Sequence, residues 1–173
     1  MTTTTLTTPA GPFTIVAFDK TVLAAGFTED ADALVTLIHP QLREDSTAVA
    51  DFDPIVDAVN AYFDGDLTAL DAIDVLQTGG VFIEDAWAAL RGVPGGEPIT
   101  YTQLASRAGR PAAVRGAAQA CARNAAALFV PCHRVIRGDG SLGGYRYGLE
   151  IKQHLLAHER GASAKGLVSG AST

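Results

Sequence analysis

The chain has 173 residues, 47% of them hydrophobic and 18% charged, and a formal net charge of −6. That is the composition of one packed domain or two small ones in contact, not of a disordered chain, and no stretch approaches the ~20 unbroken apolar residues of a membrane helix. The start, Met1-Thr2-Thr3-Thr4-Thr5, has neither the basic segment nor the apolar run of a secretory signal, so a cytoplasmic protein is expected.

The Thr-rich segment at residues 2–8 predicts a fraying end. Residues 13–18 and 21–27 flank Asp19-Lys20 as a hairpin. Apolar spacing predicts a helix over 30–38, stopped by Pro40, and another over 54–64, with Ile55, Ala58, Val59 and Tyr62 on one stripe. Residues 67–76 read as one more strand, leading to Gly79-Gly80 as the boundary between two parts. Beyond it, residues 82–91 have helical spacing. Thr100-Tyr101-Thr102-Gln103 is a capping-box start, and Gly109 and Pro111 separate that helix from one over 111–123. Two short helices joined in this way have the proportions of a helix-turn-helix, although on these residues alone an ordinary helical hairpin is the favoured reading.

Charge divides close to this boundary. Residues 1–85 hold two basic residues (Lys20, Arg43) and fifteen acidic ones, a balance of −13; residues 86–161 hold ten basic and four acidic ones, +6. A phosphate backbone would be attracted to the second part only, although an acidic front half also serves solubility.

The two cysteines, Cys121 and Cys132, and the histidines at 39, 133, 154 and 158 make no zinc or Cys-x-x-Cys pattern, so no metal is expected. Leu128-Phe129-Val130 predicts a short buried strand running into Pro131-Cys132-His133-Arg134. A free thiol has a pKa of ~8.5 and needs a base or cation to become nucleophilic at neutral pH. In extended backbone His133 points away from Cys132, so a water relay is the natural link. A buried structural cysteine is the plain alternative.

Pro131-Cys132-His133-Arg134-Val135-Ile136 resembles the active-site motif of the O6-alkylguanine-DNA alkyltransferases. The resemblance extends to Asn124, Arg115 and Tyr101, which stand eight, seventeen and thirty-one residues before the cysteine, and to Tyr145, Lys152 and Glu159 after it. It runs without a gap over about residues 82–161, and Ala61-Tyr62-Phe63-Asp64-Gly65 resembles the family's front domain. The resemblance implies a small, ribonuclease H-like α/β domain (1–79) packed on a mainly helical DNA-binding domain with a helix-turn-helix (80–161). Residues 162–173 are expected as a flexible tail.

By the same resemblance, the substrate is double-stranded DNA bearing O6-alkylguanine, with O4-alkylthymine a second target. Cys132 takes the alkyl group once, without a cofactor. His133 accepts the thiol proton through water, and Glu159 orients it. Tyr101, or Lys152, stabilises the departing guanine. Tyr101 also rotates the nucleotide, Arg115 fills the gap it leaves, and Asn124 is the hinge between recognition helix and active-site turn. Arg110, Arg123 and Arg134 join them as DNA contacts, and Val135, Tyr145, Arg146 and Tyr147 line the pocket. A monomer is expected. Taken without the resemblance, Lys152 and Glu159 are also compatible with plain surface charges on one helix face. Ala125 departs from the proline that commonly follows the hinge asparagine, which predicts a looser turn. Tyr147 replaces a small residue and predicts a narrower pocket. The competing readings are a cysteine hydrolase using a distant His such as His158, and a DNA-binding protein without transfer activity.

Overall fold

The computed structural model describes residues 1–171 and has a small antiparallel sheet with a helical bulk. The sheet runs β1 (Thr2–Thr8), β2 (Gly11–Phe18), β3 (Thr21–Gly26), in that order. Strand β2 is central and buried on both faces. Phe13, Ile15 and Ala17 enter the main core, while Val16 joins Leu23, Ala24, Leu34 and Ile38 in a second one.

The expected frayed end is instead the paired strand β1. Threonine is β-branched and suits a pleated surface. Thr5 and Thr14 hydroxyls bond at 2.8 Å, and the chain's ammonium donates to Ser46 O at 2.7 Å. The hairpin and the helices expected at 30–38 and 54–64 form, as α1 (Ala31–Leu37) and α3 (Asp53–Phe63); between them lies a short α2 (Pro40–Asp45) that the sequence reading missed. The strand expected at 67–76 is corrected to a 3-10 turn, Ala69–Ala72. Asp66 accepts from the Thr68 N–H and hydroxyl, which bends the backbone, and Arg91 ties the far side through Leu70 O and Ile73 O. The segment touches the sheet at one isolated bridge, Val75 to Val22, where Asp74 O accepts from Val22 N–H and Leu76 N–H donates to Val22 O.

The second part carries α4 (Val81–Arg91), β4 (Ile99–Thr100), α5 (Tyr101–Arg107), α6 (Val114–Arg123), β5 (Val135–Ile136) and α7 (Leu149–Ala171). The capping box at Thr100 and Gln103 forms in both directions. Pro111 lies in the turn before α6 rather than inside it, because Ala113 N–H still bonds Arg110 O. Trp87 Nε1 donates to Ala120 O at 2.8 Å and fixes α4 against α6. One buried cluster joins β2, β3 and α3 to α4, α5 and α6. The segment expected as a tail from residue 162 is helical through Ala171; residues 172 and 173 lie outside the described residues.

Candidate active site

Cys132 begins a 3-10 turn, Cys132–Arg134, that follows Pro131. The short strand expected just before it does not form. Leu128 takes a positive φ of 74°, and Val130 N–H bonds back to Ala126 O, so this stretch closes on itself instead of pairing with a neighbour. A leucine pays a steric cost there, so surrounding contacts must hold it. Asn124 is what holds it: its Nδ2 donates to Val130 O at 2.8 Å and its Oδ1 accepts from Ala126 N–H at 3.1 Å. The sheet grips the same loop, with Ala25 N–H bonding Ala125 O and Ala127 N–H bonding Ala25 O.

His133 and Arg134 turn inward. His133 Nε2 lies 2.9 Å from Glu159 Oε1, Arg134 Nε donates to the same oxygen at 2.8 Å, and Tyr62 O–H donates to Oε2 at 3.3 Å. His133 and Glu159 are fully buried. Burial by itself would raise the Glu159 carboxyl, but His133 and Arg134 outweigh it and hold the pKa at about 2. Burial pushes His133 below the usual histidine range, against the pull of Glu159. A neutral His133 donating its Nε2–H to the carboxylate has its lone pair on Nδ1. That nitrogen is buried and has no protein partner. The arrangement is a base with its orienter. Burial raises the Cys132 thiol, opposed by Asn124, Lys152 and Arg146.

Cys132 opens into a cavity of about 370 Å³ whose walls include Tyr101, Cys121, Asn124, Tyr145, Arg146 and Tyr147. Tyr101 also lines an adjoining groove with Arg115 and Arg137, so its ring stands between the thiol cavity and the exposed face of α6. Tyr147 seals the cavity against the sheet. It meets Phe27 edge-on at 6.2 Å, and a Cβ at Gly26 would fall 2.0 Å from its hydroxyl.

A family model described as the 6-O-methylguanine DNA methyltransferase DNA binding domain matches residues 81–161. The methylated-DNA–protein-cysteine methyltransferase of Salmonella typhimurium (strain LT2) is 34% identical over 158 residues, 89% of this chain and 92% of that protein. The chain belongs to the methylated-DNA–protein-cysteine methyltransferase family. It is also similar to the crystal structure of Mycobacterium tuberculosis OGT in complex with DNA, at 31% identity and a TM-score of 0.76, over 92% of this chain and 93% of that one. The bifunctional transcriptional activator/DNA repair enzyme Ada of Escherichia coli (strain K12) is 52% identical over 81 residues, which is 47% of this chain and 23% of Ada.

Set on this methyltransferase chain, the expected residues divide. Cys132, Tyr101, Asn124, Tyr145, Arg146 and Tyr147 meet at the cavity, with His133 and Glu159 behind it. Arg115, Arg110 and Arg123 are exposed, and Arg110 lies 5.7 Å over the Phe82 ring. Four expectations are corrected. Arg134 is no surface contact, because it is buried and its Nε and Nη1 donate to Glu159 and Val93 O in the interior. Asn124 is a buried clamp on the turn after α6 rather than a surface contact. Val135 is buried in β5, pairs with Ile99, and does not line the cavity. Lys152 is fully buried, and its ammonium donates to Val135 O at 2.7 Å, to Leu142 O and to Gly144 O at 3.2 Å. Those three carbonyls occupy all three of its protons, so it braces the loop after β5 instead of facing a leaving group.

Three participants escaped the sequence reading. Gln77 bonds Asn124 and Ala125 from across the chain, Tyr62 bonds Glu159, and Arg137 joins Arg115 in its groove. Tyr62 was visible as a helix-stripe residue; nothing local distinguished the other two.

Proposed function

We propose that this chain is a single-use DNA-repair methyltransferase. Its Cys132 takes the alkyl group, chiefly methyl, from O6 of guanine, or O4 of thymine, in double-stranded DNA. The observation that carries the reading is a half-buried thiol on a cavity wall, next in sequence to a histidine whose far nitrogen is held by a buried glutamate.

The thiol proton passes through a water to His133 Nδ1, and Glu159 stabilises the imidazolium that forms. The Cys132 Sγ⁻ attacks the alkyl carbon in line; the S–C bond forms as the C–O6 bond breaks, and the electron pair leaves on guanine. Tyr101, on the cavity wall, donates toward that developing charge. The C–S bond of the thioether product is stable and no step of the reaction restores the thiol, so each molecule reacts once and no cofactor enters.

The target must leave the stack, at a cost of a few kcal/mol. In this reading α5 and α6 act as a helix-turn-helix, with α6 toward DNA. Arg115 stands in for the everted base, Arg110 and Arg123 meet phosphates, and Asn124 couples α6 to the thiol turn. The front sheet with α3 is read as a ribonuclease H-like domain ending near residue 79. The protein acts as a monomer, in the cytoplasm, where its two free cysteines stay reduced.

Intact-mass measurement after incubation with an O6-methylguanine duplex tests this. One added methyl on the wild type and none on Cys132→Ala is the expected outcome. A bound duplex without added mass would leave only the binding reading.

A further inference from the structure

Beside the thiol cavity lies a second cavity of about 440 Å³, and the two share Ala122 and Arg146 in their walls. Its basic lining comes from both parts of the chain: His39 and Arg43 from one side, Arg123 and Arg146 from the other. No Asp or Glu lines it, although residues 1–85 hold fifteen acidic residues and only two basic ones, of which Arg43 is one. The acidic half has thus placed one of its two cations where it meets two more and no counter-ion.

Arg43 and His39 have donors available. Arg43 has a buried Nε with no protein partner, and the ion pairs among the described residues gather on Glu159, not here. His39 Nδ1 accepts from the Gln41 N–H at 3.2 Å, which leaves the ring proton on Nε2 as a donor. Arg146 is held in place by Asn124 O and Ala122 O at the end of α6. Leu23, Leu42 and Trp87 supply an apolar wall, which lowers the local dielectric and strengthens attraction between the arginines and an anion. Planar guanidinium groups suit tetrahedral oxyanions with two oxygens in reach.

We propose that this cavity binds a phosphate group: a phosphodiester of the strand whose nucleotide enters the neighbouring pocket, or a free phosphate monoester. The strand version rests on the alkyl-transfer reading above; the free-anion version does not. With a strand bound, the cavity supplies the front half's one attraction for DNA and holds the backbone beside Arg146 while the base occupies the thiol cavity.

Trp87 is the chain's single tryptophan and lines this cavity, so its fluorescence reports occupancy. Wild type and Arg43→Gln are titrated with inorganic phosphate, with deoxyguanosine monophosphate and with an undamaged duplex. A saturable change in the wild type, with a half-saturating concentration about tenfold higher in Arg43→Gln, is expected. A response to the duplex alone identifies the strand as the source, and a response to the small phosphates identifies a free anion. Arg43→Lys, which keeps the charge without the fork, falls between the two proteins. No saturable response of the wild type to any of the three ligands, or equal half-saturation in folded Arg43→Gln, overturns the site. The same wild-type sample is given the O6-methylguanine duplex. Methyl transfer without a Trp87 response removes the phosphate site alone, whereas a phosphate response without methyl transfer removes the alkyl-transfer reading alone.

Discussion

Gln77 and Asn124, 47 residues apart, meet through their side-chain amides: Gln77 Nε2 donates to Asn124 Oδ1 at 2.9 Å. The other end of the same amide, Oε1, accepts from the Ala125 N–H at 2.8 Å. A proline after the hinge asparagine would have no N–H to give. The turn that the sequence reading expected to be looser is therefore tied by a residue from the front part.

Replacing Gln77 by Leu leaves the Ala125 N–H without a partner, and Ala125 is 3% exposed. The expected cost is about 1–3 kcal/mol in urea unfolding. Ala125→Pro removes that donor, so it costs less in the Gln77→Leu background than alone. Additive costs in the double-mutant cycle would show that the two residues are not coupled.

Glu159→Gln leaves Arg134 buried beside a neutral amide and takes the orienting charge from His133. Stability is expected to fall by about 3–5 kcal/mol. The transfer rate on protein that remains folded is expected to fall by about 10²-fold or more. Denaturation and single-turnover kinetics measure the two separately, and an unchanged rate constant would detach Glu159 from the chemistry.

Acid weakens the fold by a calculable route. Folded Glu159 titrates near 2, below its ordinary 4.5, so its stabilisation is complete above pH 4.5 and is lost as pH falls toward 2. The full loss is about 3 kcal/mol, since one pKa unit is about 1.4 kcal/mol. His133, held below 6.5 by burial, adds in the same direction, because the unfolded chain takes up that proton first. Unfolding free energy measured from pH 7 down to 3 should fall throughout, and a flat profile over that range would contradict both shifts.

Tyr145, Arg146 and Tyr147 crowd the thiol cavity, and Tyr147 is backed by Phe27 and Gly26. Methyl transfer from DNA is expected to be faster than benzyl transfer. Tyr147→Ala narrows that gap while destabilising the fold by about 3 kcal/mol, the usual order for a truncated packed aromatic. Equal or faster transfer of benzyl by the wild type contradicts this.

Arg115→Ala removes the side chain assigned to the gap left by the everted nucleotide. Loss of about 1.4 kcal/mol of that support is a tenfold slower transfer from duplex. Transfer from a single-stranded oligonucleotide, which has no such gap, should change less. Equal losses on both substrates would make Arg115 a general phosphate contact.

Much of the fold and site could be read from local pattern. The period of apolar residues located the hairpin and the longer helices, the Thr100–Gln103 box located the start of α5, and the run around Cys132 located the nucleophile. These signals depend on residues within a turn or two of one another, where backbone geometry alone sets who can touch whom. The same local signals misjudged residues 2–8 and 67–76, because pairing with β2 and the grip of Arg91 come from elsewhere in the chain. They could not tell that the Lys152 ammonium is spent on three carbonyls while Glu159, seven residues on, faces His133. The sequence by itself determined which groups are available for chemistry. Packing decided which are buried and what they meet, because a buried charge or amide must find its partner wherever the folded chain brings one.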